Sequence, residues 1–186
     1  MPYKKRIYVP NQFYHVVCRG NRRDPLFRCH TDFLAFFHIL EQLHQKIPFE
    51  LASYCLMTNH FHLQIRSKEV PLSKIMSLIN KRYANYYNTR YRLTGHVFEK
   101  RYYDKMIEDK EGMLEVSKYI HLNPVEAKMV KKPEFYPWSS FQFFKNEYPI
   151  APCYLDIRHI LDFYIGTMKQ KREKYISSHE PSKIGN

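Results

Sequence analysis

The stretch Tyr54-Cys-Leu-Met-Thr-Asn-His-Phe-His-Leu-Gln-Ile65 breaks at Thr58-Asn59 and then alternates polar with apolar side chains. Successive side chains on a β-strand point to opposite faces. His60, His62, Gln64 and Arg66 therefore share one face, and Phe61, Leu63 and Ile65 share the other, which reads as the core face. Phe49 to Met57 reads as a preceding strand, with Thr58-Asn59 as the turn of a hairpin. Two imidazoles side by side on a polar strand face form a ready pair of metal ligands, suited to Mn²⁺, Zn²⁺, Ni²⁺ or Mg²⁺ with added oxygen donors. Two histidines alone leave coordination positions open, which fits a metal that polarises a substrate phosphate better than a closed structural site.

On the N-terminal side, Tyr3 to Pro10 reads as a basic, extended arm, and Phe13 to Arg19 as a first strand rich in β-branched and aromatic residues. Gly20 to Pro25 is a loop carrying Arg22 and Arg23. Thr31 or Asp32 caps a helix that runs to about Gln45, with Phe33, Phe36, Phe37, Leu40 and Leu43 at helical spacing. On the C-terminal side, Pro71 and Ser73 open a long helix to about Tyr91, with Ile75, Met76, Ile79, Tyr83, Tyr86 and Tyr87 as its apolar stripe. His96 to Ile107 reads as a fourth strand, and a helix begins near Asp109 and carries Tyr119 towards Asn123-Pro124. The order β-α-β-β-α-β followed by a helix predicts an α+β, ferredoxin-like (RRM-like) antiparallel sheet. In that arrangement both long helices cover one face, and the face carrying His60 and His62 is left free. One more helix is expected from Asp156 to Lys174, followed by a disordered polar tail.

With 186 residues and 44% hydrophobic content, the chain can bury a substantial core. A formal net charge of +12 points to a polyanionic partner, most simply nucleic acid. Most of the sixteen Tyr and thirteen Phe are expected in the core, and some could stack on unpaired bases. Cys18, Cys29, Cys55 and Cys153 form no CxxC pair, which argues against a zinc knuckle; Cys18 and Cys55 read as buried small hydrophobes. No signal peptide opens the sequence and no apolar run reaches spanning length, so a cytoplasmic protein without membrane contact is expected.

His60-Phe61-His62 matches the His-hydrophobic-His motif of HUH nucleases, and its surroundings resemble the IS200-like single-tyrosine transposases. Within that family the resemblance is closest to the transposases associated with repetitive extragenic palindromes (REPs). It extends through Tyr14-His-Val, Arg19-Gly20-Asn21, Lys81-Arg-Tyr-Ala-Asn-Tyr-Tyr87, Thr94-Gly95-His96-Val97-Phe98, Arg101-Tyr102, Tyr119-Ile-His-Leu-Asn-Pro-Val125 and Trp138-Ser139-Ser140. Roughly residues 10 to 142 are covered, too many separate segments for chance agreement.

The resemblance implies a ferredoxin-like catalytic domain over residues 1–145 and a C-terminal helical extension with a disordered tail over 146–186. It implies a metal-dependent DNA transposase or strand transferase that cuts single-stranded DNA next to a hairpin through a 5′-phosphotyrosine. Tyr119 would be the nucleophile, and His60 and His62 would hold Mg²⁺ or Mn²⁺. A third ligand is expected one helical turn after the tyrosine. IS200 relatives commonly place Gln there; here it is Asn123, which is shorter and precedes Pro124, so that an N-cap role in a short following helix competes with ligation. Gln64, on the histidine face, is the alternative oxygen donor. Arg19, Arg22, Arg23, Lys81, Arg82, Lys100, Arg101 and Lys105 form a candidate track for single-stranded or hairpin DNA. His15 shares a strand face with Arg19, which would bring it towards the site, although a packed histidine is the commoner reading. IS200 relatives exchange the tyrosine helix in dimers while palindrome-associated ones act as monomers, so both a monomer and a homodimer are compatible with the sequence. The alternative is a cleavage-deficient DNA- or RNA-binding protein on the same scaffold, against which the intact His60, His62 and Tyr119 argue.

Overall fold

Alternation at His60–Arg66 produces a central strand, because each of its faces meets a different layer. The computed structural model describes residues 8–179, so the N-terminal arm up to residue 7 and the tail from residue 180 lie outside the described residues. The elements are β1 (Tyr14–Arg19), α1 (His30–Lys46), β2 (Glu50–Leu56), β3 (His60–Arg66), α2 (Leu72–Tyr91), β4 (Tyr103–Met106) and α3 (Lys110–Glu126). Three shorter helices follow: α4 (Phe141–Lys145), α5 (Arg158–Leu161) and α6 (Met168–Ser177). The strands pair antiparallel in the order β2-β3-β1-β4, which is the ferredoxin-like sheet expected.

The core face carries Val16, Cys18, Phe61, Leu63 and Ile65, all buried under α1 and α2. Phe36 of α1 meets Phe61 at 4.7 Å between ring centroids and Tyr83 of α2 at 5.3 Å. A helix begins at His30 rather than at the expected cap, because Asp32 stands inside the first turn. Its carboxylate accepts from the backbone N–H groups of Arg28 and Cys29 at 2.8 and 3.2 Å, which satisfies donors a helix start leaves open.

The opposite face is not free. α3 crosses the β2–β3 half of it, burying Ser53, Cys55, His62 and Gln64. Gln64 accepts from the Ser53 hydroxyl at 2.7 Å and donates to the Met113 carbonyl of α3 at 3.1 Å, so strand and helix are joined by a fully used amide. The fourth strand is also shorter than expected. Between Thr94 and Tyr102 only an isolated antiparallel bridge, Gly20 with Phe98, meets the end of β1, with Glu99 N–H donating to the Arg19 carbonyl at 3.0 Å, and the Asn80 side chain donates to the Arg101 carbonyl at 2.8 Å. With the Arg101 carbonyl taken by a side chain, the continuous ladder is confined to Tyr103–Met106.

The single C-terminal helix expected at 156–174 is two helices. The chain turns between them at Gly166, whose φ of +129° suits only glycine, and Thr167 then caps α6. These segments add Tyr154, Leu155, Ile160, Leu161 and Tyr175 to the main core. Tyr175 of α6 is fully buried, with its hydroxyl 2.6 Å from both Ser117 Oγ and His121 Nδ1 of α3.

At the far end of β2, Glu50 meets Arg66 at 2.6 Å, Lys68 at 3.1 Å and His159 of α5 at 2.6 Å. Burial raises the Glu50 pKa, but hydrogen bonds from Arg66, Lys68 and His159 outweigh it and hold the value at about 2. A depressed carboxylate pKa stabilises the fold above the unfolded value and loses that contribution as pH falls towards the folded one. Thermal melts should therefore show Glu50→Gln below wild type by roughly 3–6 °C at pH 7. The two proteins should converge between pH 4.5 and 2; a constant gap across that window would remove Glu50 from the acid response.

Candidate active site

The turn before β3 fixes the first histidine. Gly20, at the end of β1, donates its N–H to the Asn59 carbonyl at 2.8 Å, and a Cβ at Gly20 would collide with the Asp24 carbonyl oxygen. The Asn59 side-chain oxygen accepts from His60 Nδ1 at 2.7 Å, which leaves the lone pair of the neutral ring on Nε2. Two residues on, His62 is buried with its Nδ1 3.0 Å from His15 Nε2, and its own Nε2 has no hydrogen-bond partner. The His60 and His62 rings stand 4.9 Å apart.

α3 brings the third component across the sheet. Tyr119 is 44% exposed. Its ring nevertheless packs edge-on at 5.6 Å from His62 and 5.8 Å from His15. Asn123 follows one turn later and donates its side-chain amide to the Tyr119 carbonyl at 3.1 Å. Its side chain raises the pKa of both His60 and His62, the effect of an acceptor oxygen beside the rings. The helix does not stop at Asn123 but continues through Pro124 to Glu126, so Asn123 is an interior residue and not the N-cap of a new helix. Pro124 removes only the N–H that would have bonded Ile120. Gln64 is excluded as the oxygen donor, since both ends of its amide are engaged with Ser53 and Met113.

Burial lowers the pKa of all three histidines. His15 falls to about 4, with the Lys105 charge adding to burial. His60 also falls to about 4, with Arg19 adding and Asn123 opposing. His62 lies well below the ordinary value, through burial and then its neighbours His60, His15 and Arg19. Each ring is neutral at pH 7 and keeps a nitrogen lone pair, which is what ligation requires. Among the described residues no three His, Cys, Asp or Glu converge on one point. The donor set here is two imidazole Nε2 atoms and one amide oxygen, with His62 Nε2 a buried atom lacking any partner; that chemistry accommodates a divalent cation with positions left for phosphate oxygens.

The basic residues divide into groups. Arg19, opposite His60 in the β1–β3 register, and Lys105, opposite His15 in the β1–β4 register, flank the histidines. Lys81, Lys100 and Arg101 line a groove of about 1060 Å³ between α2 and the loop before β4, which also touches Asn21, two residues beyond Arg19. Arg22 and Arg23 are exposed in the turn after β1, where Asn59 holds the Arg23 carbonyl at 3.3 Å. Arg82 does not line the groove. The sequence allows His15 to approach the site but favours a packed histidine there, and it gives no sign of the role of Asn59. The His15 contact is visible in sequence only once β1 and β3 are known to be neighbours.

A family model described as "Transposase IS200 like" matches residues 8–123 of the chain. A Haemophilus influenzae protein assigned as a REP-associated tyrosine transposase is 24% identical over 142 residues, covering 69% of this chain and 78% of the relative. Among solved structures, a REP-associated tyrosine transposase bound to a REP hairpin superposes with a TM-score of 0.68 at 19% identity, covering 84% of this chain and 93% of that one.

Proposed function

Because the chain belongs to the family of IS200-like transposases, we propose that it is a metal-dependent DNA strand transferase that cuts single-stranded DNA beside a hairpin with Tyr119 as nucleophile. One observation carries this reading: within a single chain, an exposed tyrosine of α3 packs against a buried histidine whose Nε2 has no partner. Tyr119 Oη attacks the scissile phosphorus, the bond to the 3′ oxygen breaks, and the products are a 5′-phosphotyrosine and a free 3′-hydroxyl. His60 Nε2, His62 Nε2 and the Asn123 side-chain oxygen would hold a Mg²⁺ or Mn²⁺ ion, which supplies stabilisation of charge on the phosphate oxygens. Arg19 and Lys105 draw the phosphate towards the histidines, and the Lys81–Lys100–Arg101 groove guides the adjoining strand or hairpin. The relative solved with a REP hairpin supports the same substrate class for this chain.

We assign catalysis to residues 1–145 and regard 146–186 as an extension that supports α3 through Tyr175. One chain supplies every group named, so a monomer is sufficient for chemistry. No helix among the described residues is long and apolar enough to cross a membrane. We place the protein in the cytoplasm with its DNA.

Incubation with end-labelled hairpin DNA and Mn²⁺ should give a protein-DNA band that survives denaturation, and Tyr119→Phe should give none while folding and binding DNA like wild type. Binding without any adduct in the wild type would favour the cleavage-deficient alternative. His60→Ala or His62→Ala should lower cleavage by roughly 100-fold or more. Chelation should do the same to wild type, with hairpin affinity kept because phosphate contacts carry most of it. Undiminished cleavage by both variants would return the histidines to a packing role. Cleavage should also require an unpaired strand, since annealing to a complement removes the bending and base stacking that the site uses. Replacing Lys81, Lys100 or Arg101 by Ala should each reduce the salt slope of binding by about one. Equal cleavage of single-stranded and duplex substrates at one salt concentration would point instead to a general nuclease.

A further inference from the structure

A single proton lies between His15 Nε2 and His62 Nδ1, which are 3.0 Å apart with their rings inclined by 20°. Two arrangements are chemically distinct. If His15 donates, a neutral His62 must carry its own proton on Nε2, a buried atom that makes no hydrogen bond. A buried N–H left without a partner is destabilising. If His62 donates from Nδ1, its Nε2 is a bare lone pair, and His15 keeps its proton on Nδ1. His60 repeats the second arrangement on the same strand, with Asn59 in the accepting role at 2.7 Å. Both motif histidines then have Nδ1 engaged by a neighbour and Nε2 open.

We propose that His15 is a positioning residue that accepts the His62 Nδ1–H, so fixing His62 in the tautomer whose Nε2 is available as a ligand. Acceptors behind ligating histidines set the tautomer and the ring orientation together. His15 is well placed for both, since it stands on β1, paired directly to β3, and its ring also touches Tyr119 at 5.8 Å. The strand pairing transmits the constraint: sliding β1 by one residue would turn His15 to the core face and leave His62 without its acceptor. The purpose of this contact rests on the metal site proposed above, whereas the tautomer is a property of the metal-free chain and is measured separately.

Long-range ¹H–¹⁵N NMR of the metal-free protein, with the His62 signals assigned by their loss in His62→Gln, should show the proton on Nδ1. His15→Leu keeps apolar volume but cannot accept, and His62 should shift to a mixture with Nε2–H. His15→Gln places a side-chain oxygen near the former Nε2 position and should restore the Nδ1–H form. Mn²⁺ affinity, read from the free-ion EPR signal, should fall roughly 10-fold in His15→Leu and return to within about threefold of wild type in His15→Gln. An Nε2–H signature in wild type, or His15→Leu keeping the wild-type tautomer or Mn²⁺ affinity, would overturn the proposal. If wild type binds no Mn²⁺, the metal reading falls, and the NMR signature alone decides the role of His15.

Discussion

The seating of α3 on the sheet is the constraint on which the site depends. Tyr119 stands on a helix and its histidine neighbours on strands, so chemistry between them needs the two elements held at one height. Gln64 from β3 bonds the Met113 carbonyl near the start of the helix. Further along, His121 joins Tyr175 of α6 at 2.6 Å and Ser140 at 2.7 Å, and Ser140 accepts the Tyr54 N–H of β2 at 2.8 Å. These atoms are buried and mutually satisfied. Moving α3 by one turn would leave several without partners, at about 1–3 kcal/mol each. Apolar contacts such as Ile120 against Cys55 and Tyr136 add attraction but little directional precision.

A second tension is electrostatic. The chain carries a net charge of +12, yet the groups at its centre are uncharged imidazoles. Burial separates the two requirements. Exposed Lys and Arg on the groove and flanks supply the long-range attraction for a polyanion. The histidines, withdrawn from water, keep their lone pairs at neutral pH instead of adding to that charge. Arg19 and Lys105 reinforce this, because their charges penalise protonation of the neighbouring rings while attracting phosphate.

Strand alternation, helix stripes and element order were legible in the sequence because each is set locally. The core face of β3, the stripe of Phe36 and Leu40 and that of Ile75, Ile79 and Tyr83 are found where periodicity places them. The covered histidine face was not legible, since the packing side of Gln64 depends on a helix some fifty residues later. The short β4 was hidden for a similar reason: the segment before it touches β1 only through the Gly20–Phe98 bridge, and its Arg101 carbonyl is held by Asn80 of α2, remote in sequence. At Asn123 local preference pointed the wrong way. Pro124 disfavours a helix there, but burial of Asn123 and Pro124 under the sheet and the continued bonding to Ala127 and Met129 override it. The pair of histidines could be found from sequence, and so could Tyr119 through the family motif; the acceptors Asn59 and His15 could not, because tautomer control is a property of register.

The division of labour between strand and helix suits a reaction that must run in both directions. β3 is hydrogen-bonded on both sides, to β2 and β1, so His60 and His62 stand on one of the two central strands of the sheet. A ligand set benefits from such rigidity, since small displacements weaken binding of a cation. Tyr119, by contrast, is on a helix held to the sheet by side-chain hydrogen bonds and apolar packing rather than by a backbone ladder, and it is 44% exposed. In the proposed reaction cleavage would carry the phosphate onto Oη and rejoining would carry it off again, so the tyrosine would have to admit DNA on one side while keeping contact with His62 on the other. Side-chain anchoring allows that adjustment without disturbing the ladder that fixes the histidines. The stiffness needed for ligation and the access needed for strand exchange thus come from different elements of one small sheet.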